Sequence, residues 1–143
     1  MSFRTLLLAA LLQTICGLAS AVAETDVGTY LIVNTKGEIT TKAFRVLQRG
    51  KEWAVEDRKP DGSWTDVTCE ADCKMFVSND ANIEKFFPVD TLSQITPDCI
   101  HNKAFAFCGY SLKTNAAFRG YLFVVLTERQ PIVLRLARVT PDK

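Results

Sequence analysis

Residues 69–108 read CEADCKMFVSNDANIEKFFPVDTLSQITPDCIHNKAFAFC, and the fold class turns on how this stretch divides. It holds four of the five cysteines, the only histidine and the one segment with convincing helical spacing. Ser78, Asn79 and Asp80 offer a choice of N-cap side chains, while Ile83, Phe86 and Phe87 fall at i, i+3 and i+4 and Pro88 stops the pattern. That spacing predicts one short helix around residues 80–87, plugging a sheet or capping one end of a barrel. Residues 90–96 suit a further helical turn or a bent edge strand, halted at Pro97. From Lys103 onward, Phe105 and Phe107 alternate with Ala104, Ala106 and Cys108, which predicts a strand with one bulky and one small face.

Upstream of this stretch the signals are those of strands and hairpins. Tyr30, Leu31, Ile32 and Val33 form an apolar β-branched run closed by the turn residues Asn34, Thr35, Lys36 and Gly37. A second run through Thr40, Thr41, Phe44 and Val46 ends at Arg49 and Gly50, and Trp53 and Val55 then alternate with Ala54 and Glu56. Lys59, Pro60, Asp61 and Gly62 turn the chain again into Thr65, Val67 and Cys69, so an antiparallel meander is the natural reading. Downstream, residues 111–117 read as a loop. Residues 121–127 are nearly all apolar and predict a central strand buried on both faces, and Ile132, Leu134 and Leu136 mark a last strand. The expected fold class is mainly β (α+β): a single antiparallel β-rich domain, barrel-like or a small sandwich, of about seven strands with one short helix.

The first residues, Met-Ser-Phe-Arg, precede an apolar run over residues 5–12, and Ala21 and Ala23 supply the small residues of a cleavage site after Ala23, with Ala21 as the alternative. Gln13, Thr14 and Gly17 interrupt the run before it reaches the ~18 apolar residues of a membrane span. Residues 1–23 are therefore expected to be a cleaved signal peptide and residues 24–143 a single disulfide-stabilised domain, periplasmic or secreted, with no membrane anchor after cleavage. Cleavage takes Arg4 from the 17 basic residues and none of the 16 acidic ones, so the exported chain has no formal net charge. Nucleic-acid and polybasic membrane binding both draw on a basic excess that is missing here.

With Cys16 removed, Cys69, Cys73, Cys99 and Cys108 form an even set in an oxidising compartment, and structural disulfides are expected. Three pairings are possible, and the local pairs Cys69 with Cys73 and Cys99 with Cys108 are favoured.

No residue pattern compels a chemistry. His101, read as a loop residue, could serve as a base for Cys99 or for a serine from elsewhere, but no nucleophile elbow accompanies it. Cys69, Cys73, Cys99, His101 and Cys108 include enough nitrogen and sulfur for a zinc site, at a spacing that matches no tight finger. Glu52, Glu56 and Asp57 put carboxylates on a strand, where Glu52 and Glu56 read as a solvated face beside Lys51 and Arg58. Arg135 and Arg138 fall on opposite faces of the last strand by parity. Trp53 reads as core.

The expectation is accordingly no catalytic residue, no cofactor and no metal, and a partner that is another protein of the same compartment. Its binding surface would lie on the loops, at Trp64, Tyr110 and Arg119. Small exported inhibitors and immunity proteins fit that class by size and address. Two alternatives stand beside it: a carrier of an apolar ligand in a barrel lined by phenylalanines 86, 87, 105, 107 and 123, and a small hydrolase or zinc enzyme using His101.

Overall fold

The structure is a computed structural model that describes residues 22–68 and 74–140. It is a curled half-barrel, a nine-stranded antiparallel sheet with helical turns packed on its outside. A 3-10 turn, Glu24–Asp26, leads into β1 (Gly28–Val33), β2 (Ile39–Arg49), β3 (Glu52–Arg58) and β4 (Trp64–Asp66). The chain then forms β5 (Phe76–Val77), α1 (Asp80–Phe86), α2 (Val89–Leu92), β6 (Ile95–His101), β7 (Phe105–Leu112), β8 (Asn115–Val125) and β9 (Ile132–Arg138).

The strand order β4-β3-β2-β1-β9-β8-β7-β6-β5 makes two meanders, one from each half of the chain, joined where β1 pairs with β9. Neighbours in each meander are neighbours in sequence, so the expected hairpins account for most of the topology. Gly50, at φ 64°, supplies the left-handed residue that lets β2 return as β3 after Arg49.

Three expectations are corrected. The stretch 111–117 is no loop: β7 and β8 run on as a ribbon to a tight turn at Lys113 and Thr114, with Leu112 opposite Asn115. The end of β7 is half-buried and the start of β8 is exposed, so no apolar alternation marks them. Pro97 lies inside β6, opposite Tyr110, because β5 covers only Ile100 and His101 and leaves Pro97 on an open edge where proline is tolerated. His101 is the last residue of that same strand, paired with Ala106 and Phe76. Strands β5 and β6 bring the count to nine.

Two cores form, one on each face of the sheet. The concave face buries Tyr30, Val46, Trp53, Val55, Ile100, Phe105, Phe107, Tyr121, Phe123 and Leu136. Its rings fill the interior: Phe44 stacks on Phe123 at 4.5 Å between centroids, Phe105 on Phe123 at 5.0 Å, and Tyr30 meets Tyr121 at 4.8 Å. Val22 belongs to this core with 4 % exposure. The convex face of β6, β7 and β8 buries Cys99, Ala106, Cys108, Leu122 and Val124 beneath Phe86 and Phe87. Each such phenylalanine contributes roughly 1.5–3 kcal/mol of transfer free energy.

Asn79 is the residue that caps α1: its side chain accepts from the Asn82 amide at 2.9 Å, while the Asn82 side chain accepts from the Asn79 amide at 3.1 Å. Phe87, extended before Pro88, ends the helix.

Cys99 and Cys108 face each other across β6 and β7 with Cα atoms 4.1 Å apart, and they form a disulfide fully buried in the outer core. The expected Cys69–Cys73 pair lies outside the described residues. Asn102, 2 % exposed, folds the β6–β7 turn by accepting from the amides of Ala104 and Phe105, and it donates to the Thr68 carbonyl at 3.3 Å. Thr68 in turn accepts from the Val55 amide at 2.9 Å, so the two outer regions of the curled sheet are tied across its open side.

Candidate functional site

The three residues expected to form a loop surface sit in strands and do not converge. Trp64 lies on edge strand β4 with the Arg45 guanidinium 4.6 Å from its ring centre. Tyr110, on the convex side of β7, covers Gly120, where a Cβ would overlap its ring. Arg119 points into the concave side of β8, so Tyr110 and Arg119 occupy opposite faces. Only 30 % of the Arg119 side chain is exposed, because it is clamped between two buried acids.

That clamp closes one end of the interior. Arg119 donates from both terminal nitrogens to Asp98 at 2.8 Å, and from Nη2 and Nε to Asp26 at 2.5 and 3.3 Å. Asp26 also accepts from the Ala23 amide at 3.0 Å and the Tyr121 hydroxyl at 2.9 Å, while its carbonyl accepts from the Tyr30 hydroxyl. Burial pushes the Asp26 carboxyl up, but the bonds from Arg119, Ala23 and Tyr121 outweigh it and hold the group below the ordinary aspartate value. The bonds to Asp98, with those to Asp26, raise the Arg119 guanidinium against its own desolvation. Gly109 lies opposite both Asp98 and Tyr121, and a Cβ there would occupy the guanidinium's place. Arg138 adds a bond to the Val27 carbonyl at 2.8 Å, whereas Arg135 is exposed. Every polar group in this cluster is matched by another, so it fixes structure and leaves no free acid or base.

The carboxylates of β3 are also structural. Glu52 is exposed as expected, but Glu56 is 7 % exposed and not part of a solvated face. Arg45 and Arg49 fold over it from β2, and Arg49 bridges on to Asp66 at 2.6 Å. Asp57, on the other face of β3, lies with both oxygens within 2.8 Å of the Lys42 ammonium.

At His101, Nδ1 is 2.8 Å from the Ser78 hydroxyl, and the ring meets the Phe86 ring edge-on at 5.5 Å. Burial lowers the imidazole pKa, with a backbone bond at Phe76 opposing it. Among the described residues no carboxylate bonds to this ring, and Ser78 is only 8 % exposed. A base without an orienting acid beside a buried hydroxyl is poorly arranged for nucleophilic attack. Among the described residues no three His, Cys, Asp or Glu side chains gather as a metal set, and the disulfide removes Cys99 and Cys108 from the zinc combination.

The surface feature with binding potential was not anticipated. A groove of about 490 Å³ runs between the α1–α2 corner and the β8–β9 turn, lined by Lys85, Phe86, Phe87, Pro88, Gln130, Pro131 and Val133. Val89, next to Pro88, is 82 % exposed, and Val133, two residues after Pro131, is 39 % exposed. Proline at each wall fixes the backbone that holds these apolar side chains. The sequence did carry a sign of it: Ile132, Val133 and Leu134 are apolar without a break on a strand whose partner side should have been polar. No family model, curated protein or solved structure matches the chain.

Proposed function

We propose that this chain is a non-enzymatic binding protein, exported to an oxidising compartment, that engages another protein through the groove between α1 and the β8–β9 turn. The observation that carries the reading is the exposed apolar set at this groove: Val133, 39 % exposed, lines it with Pro88 and Pro131, and Val89, 82 % exposed, follows Pro88. Rigid apolar groups around a concavity are the material of interface anchors. The buried Cys99–Cys108 disulfide is compatible with the compartment.

The alternatives fit less well. Phenylalanines 105, 107 and 123 pack in the concave core, and 86 and 87 pack in the convex one, so the five do not line one ligand chamber. The Ser78–His101 pair has no orienting acid among the described residues.

The test is capture by the immobilised exported protein from the extracytoplasmic extract of its source, followed by size-exclusion chromatography of the purified pair. A partner in fixed stoichiometry, lost with Val89→Asp plus Val133→Glu and retained with Lys51→Glu on the β2–β3 turn at the other end of the strands, supports the reading. Equal recovery with the groove variant, or no stoichiometric partner at any bait level, refutes it.

A further inference from the structure

A second concavity, distant in sequence from the apolar groove, has the opposite chemistry. Its volume is about 400 Å³, and Thr41, Lys42, Arg58, Lys59, Pro60 and Gly62 line it, where the start of β2 lies against the β3–β4 turn. Three of its six lining residues are cations, and none is an acid. Asp57 is the carboxylate closest at hand, held by Lys42 at 2.7 Å with Lys59 at 3.7 Å. Three cations against that single acid leave a local surplus of two positive charges. The turn's other acid, Asp61, is folded back on the Ser63 amide and hydroxyl at 2.9 and 2.6 Å.

The donors are available as well as charged. Among the described residues the Arg58 side chain makes no hydrogen bond or ion pair, and neither does the Thr41 hydroxyl. The Lys59 ammonium stands too far from Asp57 for a close hydrogen bond, so its hydrogens are free to turn into the cleft. Gly62 has φ 87°, and Arg58 Nη2 would stand only 3.9 Å from a Cβ placed there, so the turn leaves the guanidinium's side of the cleft open. An unpaired planar guanidinium, two ammonium groups and a hydroxyl around one concavity match the oxygens of a tetrahedral dianion, for which arginine offers a bidentate fork and lysine a point charge.

We propose that this cleft binds a dianionic tetrahedral oxoanion group, a phosphate or sulfate, either free or borne as an ester on a small polar molecule. The site is independent of the protein-binding groove, so either can fail without the other.

Phosphate titration of the exported protein, read in its ¹H–¹⁵N spectrum against sodium chloride of matched ionic strength, tests it. The expected result is saturable shifts at Lys42, Arg58, Lys59 and Gly62 with a Kd on the order of 1 mM for inorganic phosphate. Arg58→Gln with Lys59→Gln should weaken binding by about tenfold or more, and Arg58→Gln alone serves if the double variant misfolds. Glucose 6-phosphate binding about tenfold tighter than inorganic phosphate marks an ester ligand, and equal affinity marks the free ion. Shifts reproduced by chloride, equal binding of unphosphorylated glucose, or undiminished phosphate binding in the variants overturns the proposal.

Discussion

Replacing Arg119 with methionine keeps most of the side chain's volume and removes only the charge that holds Asp26 and Asp98. Asp98, 8 % exposed, would lose both bonds the guanidinium gives it, and Asp26, 2 % exposed, would keep only the Ala23 amide and the Tyr121 hydroxyl. Breaking a buried pair by deleting one partner costs about 3–5 kcal/mol, a large share of the roughly 5–15 kcal/mol expected of a domain. Partial protonation of the orphaned carboxyls limits the damage, so a loss of about 3 kcal/mol at pH 7 is expected. The pH dependence separates this cause from lost packing. In the native protein Asp26 titrates below its unfolded value of about 3.9, so its contribution is complete above that pH and is lost as pH falls through the lower folded value. In the variant, burial without Arg119 raises the same group, and stability rises as pH falls through the raised folded value. The gap between the two proteins must therefore narrow from pH 7 toward pH 4. Urea unfolding across that range, with Asp98→Asn and the double variant completing a cycle, measures it. A gap under about 1 kcal/mol at pH 7, or one that does not change with pH, would refute the assignment of this cluster as a charge clamp.

Three further outcomes are expected. Cys99→Ala with Cys108→Ala opens a loop with a sequence separation of 9, and the chain-entropy relation gives a loss of about 2.5 kcal/mol in urea unfolding; an unchanged midpoint would mean the bond does not form in the exported protein. The His101 imidazole should titrate below about 6.5 by NMR, since burial disfavours its charged form; stability is then full above that pH and declines as pH falls toward the folded value, and a measured value above 6.5 contradicts the packed environment. A chain beginning at Glu24 lacks the Val22 side chain from the concave core and the Ala23 amide from Asp26, whereas one beginning at Val22 keeps both. The shorter form should be less stable by about 2–4 kcal/mol in urea unfolding, and equal stability would exclude Val22 from the core.

What could be read from the sequence was what local chemistry determines. Turn residues at Gly37, Gly50 and Gly62 separate the runs that became β1 to β4, and the spacing of Ile83, Phe86 and Phe87 located α1 within a residue of its observed end. The errors arose where local and tertiary signals diverge. Strand β6 carries Pro97, a local stop signal that is tolerated only because β5 is too short to reach it. The start of β8 is exposed from Asn115 to Phe118, so its residues lack the alternation by which strands are recognised. Arg119 reads as a surface anchor because the stretch that follows Tyr110 has the marks of a loop, where aromatic and arginine residues serve as interface anchors. Its partners are 93 and 21 residues away, and no spacing rule links Asp26, Asp98 and Arg119. Gly109 was equally silent, since its role appears only when Arg119 is seen in the space a side chain would have filled.

The same two cores that stabilise the fold also restrict where recognition can occur. Aromatic rings fill the concave side, and Asp26, Arg119 and Asp98 close one of its ends with bonds already satisfied. The convex side of β6, β7 and β8 is spent on Phe86 and Phe87. The cover stops at Pro88, where α1 ends, and it does not extend across β9. Val133 stands opposite the fully buried Val124 yet is 39 % exposed, which marks the edge of the convex core within one strand spacing. Apolar surface left at the margin of a core is cheap to keep rigid, because the buried neighbours already hold its backbone, and costly to leave in water. A partner that covers Val89 and Val133 would extend the convex core by one more strand's width. For that reason the groove, and not the aromatic interior, is where a binding function is physically easiest to place.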